Sequence, residues 1–225
     1  MQQFNDQPNA SRELQVLNNQ FGAVLHSQLT DLSEASPIVM FLDGEGVTKN
    51  HKEYHLLDLS YMRAMEKAVQ TVCEGMDMEY LALLDEISII FTVPTELLQQ
   101  HHYRYHDEVT GFFVQEFQEA FTFPVPVRFH VKAYNIPQNS VPQFFEWRRL
   151  RSEQALYQYI AKEYLPPKLY YAKSTEELKQ MLSQKMLLND TPELRIFLNG
   201  LSGNIESDQE FYVPESSEEE YFFLR

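Results

Sequence analysis

The chain has 225 residues, of which 44% are hydrophobic and 13% aromatic, so it can bury a substantial core and is not intrinsically disordered. Its 33 acidic residues against 18 Lys and Arg give a formal net charge of −15, which argues against binding nucleic acid through a broad basic surface. The single cysteine, Cys73, excludes an internal disulfide and indicates a reducing, cytosolic setting. The sequence shows neither a membrane-length apolar run nor a secretion signal, so we expect a cytoplasmic protein without membrane contact.

The first third of the chain contains two helical patterns and one strand pattern. Residues 11–30 carry apolar side chains at helical spacing and predict an N-terminal helix. Residues 36–46, SPIVMFLDGEG, form a short apolar run that predicts a buried strand followed by a turn at Asp43-Gly44. Residues 58–76 return to helical spacing and predict a second helix.

The next stretch, EYLALLDEISIIFTV, has two apolar arms on either side of an acidic pair. The arms, 79–84 and 87–92, predict two buried strands joined by a hairpin with Asp85 and Glu86 at its tip. A charge drawn into either strand would be destabilising. The pair is therefore either a solvated turn or a pair of carboxylates positioned for chemistry.

Three further elements complete the predicted core. Residues 94–121 are mostly helical, 126–136 alternate as a strand does, and 140–165 predict another long helix. The resulting order β-α-β-β-α-β plus a helix predicts an α+β fold of the ferredoxin-like, palm-type class, with additional helices and a C-terminal extension. The core with its N-terminal helix is predicted to span residues 1–165.

The pattern is weaker beyond the core. Residues 166–225 are predicted as an extension packed on the same domain. Within it, 174–187 predict a short helix whose first turn carries Ser174 and Glu177 in the positions of a capping box. The acidic tail, about 213–225, is predicted to be mobile.

The predicted topology brings distant acids together. In this fold the end of the first strand and the tip of the second hairpin lie at the same edge of the sheet. Asp43 is at that strand end, and Asp85 and Glu86 are at that tip. Three carboxylates far apart in sequence are therefore predicted to converge.

Converging carboxylates suit the two-metal chemistry of palm-type nucleotidyl transfer. Two divalent ions about 3.5–4 Å apart bridge the attacking and leaving oxygens and need hard oxygen ligands. Asp43 and Asp85 would bridge the ions, Gly44 could offer a backbone carbonyl or amides, and Glu86 would be a secondary ligand or orient water. The alternative from spacing alone is two ordinary solvated turns.

Several short motifs resemble the tRNA-His guanylyltransferase family, the Thg-type 3′-5′ polymerases. FLDGEGV (41–47) resembles the family's LDGRxF, and LLDEISIIF (83–91) resembles its SDEISLLF hairpin. FHVKAYNIP (129–137) and EWRR (146–149) follow in the same order as the family's third and fourth motifs. The order and spacing of these motifs carry the resemblance more than any one of them does.

The resemblance implies an activity and a set of site residues. Members add a nucleotide, usually G, to the 5′ end of a tRNA after activating that end with a nucleoside triphosphate, using two Mg²⁺ ions. The implied partners are GTP or ATP, a tRNA or other RNA, and further copies of the chain in a dimer or tetramer. The family's catalytic and metal-binding residues fall on Asp43, Gly44, Asp85 and Glu86. The nucleotide-binding candidates are Gly44, Glu45, Gly46, Lys49, Arg148 and Arg151.

The departures from the family pattern concern groups that contact substrate. Glu45 and Val47 replace the Arg and Phe of LDGRxF, and Leu84 replaces a Ser. The family's triphosphate-contacting Lys has no counterpart in register, although Lys49 or Lys52 could substitute for it. The HINNLYN element is missing, so specific recognition of tRNA-His is not expected. Transfer or cyclisation on a free nucleotide, or a silent binding module that kept the fold, remain as alternatives.

Two other groups of side chains are candidates for binding. His102 and His106 have the helical spacing of a zinc pair, with Asp107 or Glu108 as a third ligand, but the simpler interpretation is an exposed helix face.

Arg148 and Arg151 share a helix face and could hold a triphosphate; the alternative is surface ion pairs with Glu146 and Glu153. Cys73 is predicted to be a core residue.

Overall fold

A computed structural model describes residues 12–22, 37–45, 59–74, 77–91, 109–121, 127–188 and 191–205. These residues contain helices and strands that are numbered here in chain order: α1 Arg12–Phe21, β1 Ile38–Gly44, α2 Leu59–Val72, β2 Met78–Leu83, β3 Glu86–Phe91, α3 109–120, β4 Phe129–Asn135, α4 Val141–Tyr164, α5 Pro167–Tyr170, α6 Thr175–Gln184, α7 Pro192–Asn199 and β5 Leu201–Ile205.

The five strands form one sheet in the order β4-β1-β3-β2-β5, and every neighbouring pair is antiparallel. The first four strands have the 4-1-3-2 order of a ferredoxin-like fold, with α2 and α3 as its two crossovers. The predicted fold class, an α+β palm-type core with additional helices, is therefore confirmed. β5 comes from the C-terminal extension and pairs with β2, which places part of that extension within the sheet itself.

Alternation along β1 separates two layers of core. Ile38, Met40 and Leu42 join a cluster with α2 and α3, whereas Val39 and Phe41 join a second cluster with α1 and α4. Because successive side chains of a strand point to opposite faces, helices cover the central strand from both sides. Both clusters are almost fully buried.

The long helix α4 contributes to both clusters. It begins with a proline in its first turn and ends before Pro166 and Pro167, which cannot continue it. Its N-terminal half, through Phe144 and Trp147, packs with α1. Its C-terminal half, through Leu156 and others, packs with α6 of the extension.

The hairpin differs from the prediction by one residue. β2 ends at Leu83 and β3 begins with Glu86, so the turn consists of Leu84 and Asp85 rather than Asp85 and Glu86. The predicted turn after the first strand also begins later, because β1 continues through Gly44. Hydrogen bonding explains this: the Gly44 N–H donates to the Asp85 carbonyl at 2.8 Å and ties the strand end to the hairpin.

Several smaller predictions are also decided. Cys73 is fully buried, as predicted, and the capping box of Ser174 and Glu177 is present at the start of α6. Of the predicted helix 94–121, the structure describes 109–121, so the candidate zinc ligands His102 and His106 lie outside the described residues. The acidic tail also lies outside them. Among the helices that the structure describes, none is long and apolar enough to cross a membrane.

Candidate active site

Strand register places the three acids at one edge of the sheet. Asp43 in β1 lies directly opposite Glu86 in β3, and the hydrogen bond from Gly44 holds the backbone of Asp85 beside them. Directly opposite residues in an antiparallel pair have Cβ atoms about 4.5–5.5 Å apart and point to the same face. The structure thus brings Asp43, Asp85 and Glu86 together, as the strand order predicted.

The turn that carries Asp85 has an unusual backbone. Leu84 has φ +50°, a left-handed conformation that disfavours a leucine, and a two-residue hairpin turn of this kind normally takes glycine at that position. The Leu84 side chain is 4% exposed and belongs to the core cluster formed with α2 and α3. Packing of this side chain therefore holds the strained turn, and with it Asp85, in place.

Burial and mutual repulsion disfavour the ionised forms of both aspartates. Burial raises the pKa of Asp85 to about 7, and the charges of Asp43 and Glu86 contribute to the rise. Burial also raises the pKa of Asp43 to about 6, again with a contribution from Glu86. The charge of Arg148 acts in the opposite direction on both groups. Such a pair of destabilised carboxylates gains stability from any cation placed between them.

Arg148 is the buried cation of the site. It projects from α4, is 1% exposed, and forms an ion pair with Glu86. Its guanidinium lies 4.3 Å from the ring centroid of Phe41 and 5.2 Å from that of Trp147. Trp147 is itself held, because its indole N–H donates to the side-chain carbonyl of Asn18 in α1 at 2.8 Å.

Arg151 lies one turn further along α4. Its guanidinium is 5.3 Å from the Trp147 ring centroid, so Arg148 and Arg151 do share a helix face. For Arg148, the predicted alternative of an ion pair with Glu146 or Glu153 differs from what is found. Arg148 pairs with Glu86, and Glu153 lies 3.4 Å from the ammonium of Lys179 in α6.

Of the other nucleotide-binding candidates, the structure describes Gly44, the last residue of β1, and Glu45, which follows it. Glu45 is exposed, its N–H donates to the Arg128 carbonyl at 2.7 Å, and its carboxylate is 3.7 Å from the His130 ring. Gly46 and Lys49 lie outside the described residues.

The donor set fits a cation at the two aspartates better than at all three acids. Among the residues that the structure describes, no three His, Cys, Asp or Glu side chains are arranged to hold a metal ion. Glu86 is engaged by Arg148, whereas Asp43 and Asp85 repel each other when ionised, which a divalent cation with oxygen ligands would relieve. The two aspartates are thus the residues that would hold a metal.

Sequence reasoning missed two aromatic contributors to the site. Phe41 supports the guanidinium of Arg148, and its position two residues before Asp43 is the signal that could have found it, since i and i+2 share a strand face. Tyr61 of α2 lies close enough for the charges of Asp85 and Asp43 to raise the pKa of its buried hydroxyl further.

The fold is shared with enzymes of known structure. The chain is similar to a bacterial tRNA(His) guanylyltransferase-like protein in complex with ATP, with a TM-score of 0.63 and 18% identity over 83% of this chain and 87% of that one. A structure of a bacterial protein of the same description in complex with GTP has a TM-score of 0.59 and 17% identity, and the match covers 83% of each chain. The tRNA(His) guanylyltransferase of Saccharomyces cerevisiae has a TM-score of 0.61 and 18% identity, over 86% of this chain and 97% of that one.

These similarities bear on the fold. No protein-family model matches the sequence, and the search of curated proteins gives no significant match. The resemblance that the motifs indicated is confirmed at the level of three-dimensional structure.

Proposed function

We propose that the chain is a metal-dependent nucleotidyltransferase related to the tRNA-His guanylyltransferases. The observation that carries this proposal is the position of Asp43 and Asp85: a strand end and a strained turn hold two half-buried aspartates together at one sheet edge. The chain also shares its fold with proteins whose structures contain ATP and GTP, which supports nucleotidyl transfer as its chemistry.

Each residue has a defined role in this proposal. Asp43 and Asp85 would hold Mg²⁺, two ions as in related palm-type sites, with the backbone of Gly44 as a further oxygen donor. The bound ions would stabilise negative charge on the attacking oxygen of the nucleophile and on the leaving phosphate group. Arg151, Glu45, Gly46 and Lys49 would contact or border the nucleotide, because they follow the strand end or share the helix face above it.

The proposed reaction is addition of a nucleotide in the 3′-5′ direction to the 5′ end of a tRNA or other RNA. GTP or ATP would activate the 5′ end of the RNA with release of pyrophosphate, and the 3′-hydroxyl of the incoming nucleotide would then displace the activating nucleotide. The chain would act in the cytoplasm as a dimer or tetramer. The missing HINNLYN element and the replacement of family Arg and Ser by Glu45 and Leu84 favour an RNA other than tRNA-His.

Calorimetric titration of GTP and ATP with and without Mg²⁺ tests the proposal. We expect affinity that requires Mg²⁺ and is weakened at least about tenfold, or 1.4 kcal/mol, in Asp85→Ala. Glu163→Gln is the matched control, because it removes an exposed carboxylate of α4 away from the site and should bind as the wild type does. Absence of nucleotide binding at millimolar concentration would rule out an enzyme of this class and leave a binding module with this fold.

A second candidate is nucleotidyl transfer or cyclisation on a free nucleotide. The net charge of −15 favours it, because RNA binding draws much of its affinity from Lys and Arg contacts to phosphates. Incubation with α-labelled GTP or ATP, with and without a mixed tRNA pool, distinguishes the two. Label that enters RNA supports the first reaction, and label that appears in a dinucleotide or cyclic product supports the second.

A further inference from the structure

Glu86 is the acid of the site that forms an ion pair with an arginine, Arg148. Its side chain is 20% exposed, and the guanidinium that it contacts is almost fully buried. Ion pairs to arginine are among the strong hydrogen bonds of proteins, and removing one partner of a buried pair is strongly destabilising because an uncompensated charge remains. A bound metal would have to compete with this pair for the Glu86 carboxylate.

Arg148 has little freedom to release Glu86. Phe41 from the sheet and the neighbouring Trp147 of α4 both lie against its guanidinium, at 4.3 and 5.2 Å from the ring centroids. Trp147 is in turn hydrogen-bonded to Asn18. Its ring also packs against that of Phe21, with the two ring centroids 5.5 Å apart. A side chain confined in this way keeps a single position, so the carboxylate that it pairs with is also held in one place.

The placement of this pair affects Asp43 directly. Glu86 is the cross-strand partner of Asp43, and Phe41, which supports Arg148, precedes Asp43 on the same strand face. The charge of Glu86 repels the carboxylate opposite to it, and the charge of Arg148 offsets part of that repulsion. The ion pair also engages the Glu86 carboxylate, which leaves it less available to a metal ion.

We infer that Arg148 is a positioning residue that withdraws Glu86 from metal coordination, so that the cation is held by Asp43 and Asp85 without a third carboxylate. This inference rests on the proposed function. It changes the role predicted for both residues. Glu86 is the ion-pair partner of Arg148 instead of a metal ligand, and Arg148 fixes the position of Glu86 instead of contacting phosphate.

Glu86→Gln and Asp85→Asn separate structure from ligation. Glutamine keeps the shape of Glu86 and an acceptor for Arg148 but removes the charge, so Glu86→Gln should lower the free energy of unfolding of the metal-free protein. Its Mg²⁺-dependent affinity for GTP should change less than about twofold. Asp85→Asn should lower the Mg²⁺-dependent affinity for GTP at least about tenfold and should not lower the free energy of unfolding of the metal-free protein. Urea unfolding in EDTA gives the first quantity, and calorimetric titration of GTP at several Mg²⁺ concentrations gives the second.

A double-mutant cycle tests the part played by Arg148. Arg148→Met frees the Glu86 charge beside Asp43 and should alter the Mg²⁺ concentration needed for half-maximal GTP binding. Combining it with Glu86→Gln should restore the wild-type Mg²⁺ requirement, which a loss of packing alone would not do. Arg148→Lys keeps a charge without the planar contact with Phe41 and should restore it partly.

The possible outcomes are distinguishable. If Glu86→Gln loses Mg²⁺-dependent binding as completely as Asp85→Asn, Glu86 is a ligand and the inference is wrong, even if Arg148→Met fails to fold. If the wild type itself binds no nucleotide with Mg²⁺, the proposed function fails, and the role of the pair at that site fails with it.

Discussion

At the scale of single residues, the two aspartates hold a charge arrangement that is unfavourable without a cation. A carboxyl group whose pKa is higher in the folded than in the unfolded protein binds its proton more tightly when folded. Folding is then favoured as the pH falls through the interval between the two values. For Asp85 this interval runs from the ordinary value of 3.8 to about 7.

We therefore expect the metal-free protein to lose stability as the pH rises from about 4 to about 7, by about 3 to 4 kcal/mol from Asp85. Asp85→Asn should remove this part of the pH dependence, keep the part that comes from Asp43, and be more stable than the wild type at pH 8. Urea unfolding in EDTA across that range measures the effect. Added Mg²⁺ at pH 8 should stabilise the wild type and leave Asp85→Asn unchanged; equal stabilisation of both would contradict a site at Asp85.

Leu84 makes a second prediction at this scale, because its side chain and its backbone have opposite effects. Truncation to alanine loses a buried side chain and keeps the left-handed strain, at a cost of about 3 kcal/mol. Leu84→Gly loses the same burial but relieves the strain, by about 1 kcal/mol. The glycine variant should therefore be the more stable of the two in urea unfolding, the reverse of the usual order in strands and helices. If alanine is the more stable replacement, the turn is not strained.

Single residues could be placed from the sequence where hydrophobic periodicity and turn-forming residues determine their position. Asp43 and Asp85 could be located because apolar runs end at them and the strand order brings those ends together. The pairing of Arg148 with Glu86 could not be predicted, because it depends on how α4 crosses the sheet. Helical spacing relates Arg148 to Arg151 but contains no information about a strand more than fifty residues earlier.

At the scale of elements, the junction between α7 and β5 depends on one glycine. Gly200 has φ +80° and ψ 172°, a conformation essentially restricted to glycine. A Cβ there would lie 2.7 Å from the Ala82 carbonyl oxygen and from a Leu81 methyl group. The glycine thus allows the chain to leave α7 and enter the sheet beside β2.

Gly200→Ala should lower the free energy of unfolding by about 2 kcal/mol or more, since it adds both backbone strain and a clash with β2. Gly111→Ala is the matched control. Gly111 is an exposed residue of α3 with no atom within 4 Å of an added Cβ, so alanine there should stabilise the protein by about 0.5–1 kcal/mol. Similar effects of the two substitutions would mean that β5 does not need this junction.

The same junction explains where element prediction fell short. Long periodic segments such as α4 and the two arms of the hairpin were located within a few residues. The apolar segment LRIFLNGL (194–201), by contrast, has no clear helical or strand pattern, because eight residues of helix are followed after one glycine by five of strand and neither period lasts long enough to be distinguished. What separates them is the backbone of Gly200, which has no periodic signature.

At the scale of the whole molecule, the net charge of −15 is a source of self-repulsion. Added salt screens such repulsion over a distance that falls to about 8 Å at physiological ionic strength. The thermal midpoint should therefore rise as NaCl increases from low to moderate concentration at pH 7.5. Near the sequence pI of about 4.8 the same increase in salt should have little effect. A midpoint that falls with salt at pH 7.5 would show that specific ion pairs, such as the one at Glu86, outweigh the net charge.

The position of β5 also has a consequence for the order in which the molecule is made. The ribosome releases β2 long before it releases the strand that covers the outer edge of β2, because α3, β4, α4 and three shorter helices are synthesised between them. During that interval the hairpin bearing Asp85 has an open edge, the kind of surface on which nascent chains associate wrongly. Pairs so distant in sequence also form slowly. Completion of the sheet is then a late event in biosynthesis, and a nascent chain halted before residue 200 would hold its acidic hairpin on an unprotected strand.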